Sequence, residues 1–165
     1  MAFDAFLKIS TIPGESEDSK HTDWIEVHSY SHAVTQPTSG SVSSAGSRTA
    51  ERVDIQDFTI VKSIDKASPK LALACCNGEH IPTVTIHLNR AGGDKQQYME
   101  YKLSDAIVRS VSPSGSSAGS DSLPSETVAF AFGKIEWTYT ETDHKTGKPK
   151  GNVGANWDLH ANKGS

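Results

Sequence analysis

Alternation of apolar and polar residues with a period of two limits the fold of this chain more than any other feature. Val84, Ile86 and Leu88 alternate with Thr85 and His87, which puts one row of side chains on an apolar face and the next on a polar one, as a half-buried strand requires. Phe3, Ala5, Leu7 and Ile9 repeat the pattern near the start. In the run Trp24–Val34, Ile25 and Val27 fall on one face and Glu26, His28, Tyr30 and His32 on the other. Val53–Ile64 is a further run, whose apolar parity switches between Ile55 and Phe58 and so predicts a bulge or bend. The turn Arg90–Asp94 leads into a long pattern carrying Met99, Tyr101, Leu103, Ile107 and Val111. Val128, Phe130 and Phe132 fall on one face and Ile135, Trp137 and Tyr139 on the other, with Gly133 at the switch, where a barrel corner would lie. Ala155, Trp157 and Leu159 make a last short run.

One segment departs from this period. Ser68-Pro69 offers an N-cap and a first-turn proline, Lys70–Cys76 has no breaker, and Asn77-Gly78 is a helix stop. Strands without helices between them exclude a parallel βαβ sheet. The expected fold is therefore all-β. It is a β-barrel of two antiparallel or mixed sheets with seven to eight strands and one short α-helix at about 68–77, in a single domain over 1–165.

Charge and cysteines narrow the function. The 165 residues hold 16 Lys+Arg against 20 Asp+Glu, a formal charge of −4, which gives no electrostatic reason to seek nucleic acid or an anionic membrane. No apolar run reaches the ~18 residues of a membrane span. The N-terminal residues lack the basic and apolar regions of a signal peptide. Cys75 and Cys76 are adjacent and cannot tie distant segments together, which fits folding in a reducing compartment. Without Cys-x-x-Cys spacing they read as buried apolar fillers at the end of the helix rather than as a redox pair.

The sites that could carry chemistry are weak. His28-Ser-Tyr-Ser-His32 has zinc spacing only on a helix; on a strand its two imidazoles stand about 13 Å apart, too far for one ion. No nucleophile elbow, phosphate loop or dinucleotide fingerprint is present. Trp24, Trp137 and Trp157 could stack on sugars, but sheet aromatics more often pack into cores. Nothing calls for catalysis, a cofactor or a metal. Two connections stand out instead: Thr38–Thr49 and Ser112–Ser125 are rich in Ser and Gly and hold almost no large apolar side chain. Connections this long are surface loops with little structure, or are ordered by another chain.

A series of short blocks gives the chain a family likeness. Asp4-Ala-Phe-Leu-Lys-Ile9, Ile12-Pro-Gly-Glu-Ser16, Asp18 and His21 come first, then Gln56-Asp-Phe58, Lys62-Ser-Ile-Asp-Lys66, Ser68-Pro-Lys-Leu71 and Cys75-Cys-Asn-Gly78. Arg90-Ala-Gly-Gly93, Ser110-Val111, Glu126-Thr-Val128, Gly133-Lys-Ile-Glu-Trp137 and Trp157-Asp-Leu159 follow in order. In this order the blocks resemble the haemolysin-coregulated protein (Hcp) family, which forms the inner tube of the bacterial type VI secretion system. The likeness spans essentially the whole chain.

The resemblance implies a barrel of two sheets with one helix, six copies closing into a ring with a central channel, and rings stacking into a tube. It implies a homohexamer whose partners are its own copies, a VgrG-type spike, a contractile sheath, and effector proteins carried and chaperoned in the lumen. It also implies assembly in the cytoplasm followed by secretion without a cleaved signal peptide. In the family an extension between the second and third strands reaches an adjacent subunit; here it maps to about 36–52. The implied ring-interface residues are Gln36, Pro37, Ser39, Ser41, Val42, Ser44, Arg48 and Arg52. The channel wall is expected on a polar strand face, either His28, Tyr30 and His32 with Glu26, or Ser29 and Ser31; the sequence leaves both open. The competing reading is a monomeric ligand- or carbohydrate-binding β-sandwich, which would shift its tryptophan fluorescence on adding glycan.

Overall fold

A computed structural model describes residues 2–39, 49–92, 94–118 and 123–165. Among them are fourteen strands and one helix: β1 (Phe3–Ile9), β2 (Ile25–Val27), β3 (Ser29–Ser31), β4 (Val34–Thr35), β5 (Thr38–Ser39), β6 (Thr49–Ala50), β7 (Asp54–Ile55), β8 (Phe58–Ser63), α1 (Ser68–Asn77), β9 (Ile81–Arg90), β10 (Gln97–Ser114), β11 (Ser125–Ala131), β12 (Lys134–Thr142), β13 (Pro149–Asp158) and β14 (Lys163–Gly164). The all-β class with a single short helix stands. The expected seven or eight strands become fourteen, because bends split long runs and because two-residue pairs form where the sequence reads as loop.

Ten strands join into one sheet, and every pairing within it is antiparallel. The expected barrel is not formed: pairing does not close the large sheet on itself. Its path runs β14-β13-β12-β10-β11-β8-β3, and β10 also carries β9, which leads on to β1 and β2. The chain turns from one ladder to the other between β2 and β3. Val27 ends one ladder, against Ala5, and Ser29 begins another, against Val61. His28 links them through its backbone N–H, which donates to the Val61 carbonyl at 2.8 Å.

The long strand β10 bends in the same way. Its first part pairs with β9 on one side and β12 on the other, and its last part pairs with β11. Asp105 sits between the two parts with φ 52, a left-handed conformation uncommon outside glycine. The backbone N–H of Gly133 bonds there to the Ser104 and Asp105 carbonyls at 3.0 and 3.1 Å. A Cβ at Gly133 would lie 2.6 Å from His160 Nε2, so at the corner read from the parity switch the exposed His160 ring packs directly over the glycine and would have to swing aside for a larger residue.

The alternating apolar rows meet in one core, including Leu7, Ile9, Ile25, Phe58, Ile60, Val84, Ile86, Leu103, Val108, Val128, Phe130 and Ile135. Leu71 and Ala74 bring one side of α1 onto it. The helix limits match the sequence reading, and Gly78 closes the helix with φ 63. Its N-cap differs: Ala67 occupies that position without a side-chain cap. Ser68 Oγ is drawn instead to Lys62 Nζ at 3.1 Å and donates to Glu126 Oε2 at 2.7 Å. The cysteine reading holds for one residue of two. Cys75 packs against the core, whereas Cys76 is exposed and fills nothing.

Candidate assembly surfaces

The Ser/Gly-rich stretch after β3 is not a bare loop. Val34↔Ile55 and Thr35↔Asp54 pair, then Thr38↔Ala50 and Ser39↔Thr49, so the chain goes out and returns as a narrow two-stranded arm. These two ladders stand apart from the ten-stranded sheet. Backbone bonds from Gln56 N–H to the Ala33 carbonyl at 2.9 Å and from Glu51 N–H to the Pro37 carbonyl at 3.3 Å knit it together. Gln36 Nε2 adds a bond to the Glu51 carbonyl. Arg52 Nη2 donates to the Leu159 carbonyl at 3.2 Å and ties the arm to the β13–β14 turn.

The described part of the arm is open to solvent. Residues 33–38 are all exposed, and Val34 stands 49% open despite being apolar. Gln36, Pro37 and Arg52 lie on its surface, and the backbone of Ser39 lies in its outer ladder. Ser41, Val42, Ser44 and Arg48 lie outside the described residues. The second long connection is shorter than its composition predicts. β10 and β11 stay paired to Ser114↔Ser125, so only 115–124 remain between them.

The two candidate channel faces come apart. Two residues, not one, separate inward-facing Val27 from Tyr30, so the parity of the strand slips at His28. His28 is exposed and its Nε2 meets Ser63 Oγ at 2.7 Å, whereas Tyr30 stacks on Phe58 with ring centroids 5.7 Å apart. Glu26, His28, Tyr30 and His32 are therefore not one face. Ser29 and Ser31 are both exposed and share the outside with His28.

A surface missed by the sequence reading is the outer edge of β13. The strand pairs with β12 along its length, but on its other side β14 covers only Trp157 and Asp158 among the described strands. Residues 149–155 thus present an open edge, with Val153 69% exposed. Pro149, Lys150, Gly151 and Gly154 lie along it, residue types that discourage indiscriminate edge pairing. The stretch has no apolar row to betray it as a strand; its only signal is the hairpin turn Asp143–Lys148, closed by Gly147 N–H on the Asp143 carbonyl at 2.8 Å.

The family model described as "Type VI secretion system effector, Hcp" matches residues 6–139. The chain belongs to the Hcp family. Protein hcp1 of Pseudomonas aeruginosa is 36% identical over 163 residues, 98% of each chain. The Major exported protein of the same organism is 30% identical over 132 residues, 76% of this chain and 74% of the relative. A solved structure described as that of a type six secretion system protein superposes with a TM-score of 0.92 at 32% identity, covering 99% of this chain and all of the other. Hcp1 from Salmonella typhimurium superposes at 0.78 and 33% identity over the whole of both chains. The Hcp fold, here as a type VI secretion tube protein, thus accounts for the sheet and helix together.

In this Hcp chain the root of the arm holds an unusual histidine. His32 lies in an apolar slot against Phe58 and Phe132, with centroids 5.6 and 6.0 Å away, and neither ring nitrogen has a hydrogen-bond partner. Burial pushes its proton affinity below the ordinary imidazole value, with only the nearby Gln56 backbone acting the other way. The sign follows directly. A histidine held neutral on folding contributes stability above the unfolded imidazole value of about 6.5, and loses it as pH falls through the folded value. We expect amide exchange in 34–38 and 51–55 to accelerate as pH drops from 7 to 5, after correction for intrinsic exchange. In His32→Phe that acceleration should vanish; equal acceleration in both proteins would contradict this role.

Proposed function

We propose that this chain is the ring subunit of a type VI secretion inner tube. Six copies close head-to-tail into a ring around a channel, rings stack, and the tube carries and chaperones effector proteins. A heterologous interface of this kind closes by rotation and needs two different surfaces on each subunit. The arm and the open β13 edge are two such surfaces, and both offer unpaired backbone to a neighbour.

The single observation that carries this reading is the arm. A two-stranded ladder with exposed side chains is marginal alone in water, so its retention fits a segment completed by another copy. Gln36, Pro37, Ser39 and Arg52, with Ser41, Val42, Ser44 and Arg48 further along, are the proposed contact residues. The exposed Ser29, Ser31 and His28 are the proposed channel-side candidates, while Tyr30 and His32 support them from within.

The partners that follow are the spike, the sheath and the cargo. The chain assembles in the cytoplasm and is then expelled with the tube. It acts as a structural carrier rather than an enzyme, in keeping with a family of structural secreted proteins. Electron microscopy of the purified protein tests this. Six-fold rings with an open centre are the expected image; isolated, featureless small particles at every concentration would overturn it.

A further inference from the structure

The loop between β1 and β2 is fastened to the sheet by an unbroken chain of four titratable side chains. Asp18 Oδ1 meets His21 Nδ1 at 2.9 Å, His21 Nε2 meets His87 Nδ1 at 3.0 Å, and His87 Nε2 meets Glu100 Oε2 at 2.7 Å. The tube reading does not use these residues. His21 is buried on the loop, His87 stands on β9, and Glu100 lies directly across from it on β10.

Counting hydrogens shows what this arrangement needs. Three hydrogen bonds in series require three hydrogens, and two neutral imidazoles bring one each. If His21 donates to Asp18 and His87 donates to Glu100, then His21 Nε2 and His87 Nδ1 face each other with two lone pairs. At 3.0 Å such a pair repels. The observed geometry is satisfied when one further proton, taken from solvent, is held in the chain.

We propose that Asp18, His21, His87 and Glu100 form a proton-dependent latch, in which a proton taken up on His21 completes the chain and holds the β1–β2 loop against the sheet.

The surroundings favour His21 as the seat. The hydrogen bond from His21 lowers the Asp18 carboxyl to about 2, helped by the Lys20 backbone and by Lys95, so Asp18 stays an acceptor. Burial does not choose between the rings, since His21 is the more closed of the two, but the charge of Lys8 also stands against a proton on His87, although Glu100 favours one. The His21 ring lies flat on Phe6, with centroids 4.3 Å apart and planes 7° apart, and edge-on to Trp24 at 4.7 Å. An imidazolium gains from such aromatic faces.

The charges at the pair come from its neighbouring elements. The loop supplies Asp18, β10 supplies Glu100, β1 supplies Lys8 and the β9–β10 turn supplies Lys95, while Asp4 on β1 and Glu26 on β2 share the sheet face of Phe6 and His87. Lys95 Nζ binds Asp18 Oδ2 at 3.2 Å, and Lys8 Nζ lies 5.7 Å from the Trp24 ring centre. The two carboxylates bonded directly to the pair, Asp18 and Glu100, hold a proton in place. Within the loop, Gly14 N–H bonds the Asp23 carbonyl at 2.8 Å and Asp23 N–H bonds the Ser16 carbonyl at 2.9 Å. These bonds shape the loop, while the His21–His87 bond fastens it to the strands and Lys95–Asp18 and Lys20–Asp94 tie it to the β9–β10 turn. Loss of the proton therefore loosens a folded loop on its strand side without unfolding it, and rising pH is the direction that loosens it.

Ring nitrogen NMR of the full chain, labelled at histidine, tests the assignment. While the loop is latched both nitrogens of His21 should carry hydrogen and His87 one, and as pH rises His21 should lose its second hydrogen in step with faster amide exchange over 11–24. In Glu100→Gln the amide oxygen still accepts from His87, but a charge is gone, so the loop should open at a pH lower by about one unit. His21→Phe keeps the stack on Phe6 and should leave loop exchange fast at every pH, after intrinsic correction. Single hydrogens on both rings from pH 5 to 8 with steady loop protection would overturn the latch, as would a second hydrogen on His87 instead of His21.

Discussion

Replacing Lys62 with alanine is expected to remove roughly 3–5 kcal/mol of stability, the scale of breaking a buried ion pair from one side. Lys62 points inward from β8 in the same row as Phe58 and Ile60, and its side chain is fully buried. Its Nζ reaches Glu126 Oε2 at 2.8 Å, Asp65 Oδ1 at 3.0 Å and Ser68 Oγ at 3.1 Å, so all three ammonium hydrogens have acceptors. Glu126 lies directly opposite on β11 and is itself nearly closed to water. Removing the lysine strands the Glu126 charge in the core, where desolvation is most costly. Removing Lys62 and Glu126 together is a different matter, because the Asp65 carboxylate that remains lies nearer the surface and keeps its bond from the Ala67 N–H. Lys62→Met with Glu126→Leu replaces the pair by hydrocarbon of similar size, a change often neutral or favourable elsewhere. Urea denaturation should therefore show a large loss for the single variant and recovery of most of it in the double. Equal losses in the two would show that the pair itself, and not the stranded charge, sets the effect.

Deleting Ser39–Ser47 is expected to leave the fold intact and abolish assembly. The arm stands apart from the ten-stranded sheet, and its described side chains add little to the core. Shortening a loop changes closure entropy only logarithmically, about 0.6 kcal/mol per doubling. The same deletion acts at every interface of a ring, so the loss multiplies with the number of copies. Circular dichroism and melting should stay β-rich and cooperative, while native mass falls and secretion stops. Unchanged rings, tubes and secretion would make the stretch an idle surface hairpin.

Much of the fold was legible because burial writes a period into sequence. Phe58 and Ile60, or Val84, Ile86 and Leu88, could alternate only on a strand with one face inside. The helix at Ser68–Asn77 was marked at both ends by Pro69 and Gly78. Events in the backbone left no such trace. The slip at His28, which separates the two polar faces, is one residue of pairing with no compositional sign. The arm and the first half of β13 are paired by backbone hydrogen bonds, which serine and glycine form as well as valine does, so sequences poor in apolar residues hid them, while Ala155 and Trp157 betrayed only the end of β13. Lys62 and Glu126 did carry a signal: each occupies the inward parity of its own strand. His21 and His87 are 66 positions apart, and only the β1–β9 ladder, with Phe6 opposite His87, brings them together.

The native mass of the purified chain tests the central claim most directly. Light scattering coupled to gel filtration should give roughly 106 kDa, six chains of 17.7 kDa, or multiples of it where rings stack. A clean 17.7 kDa monomer at high protein concentration would contradict the account.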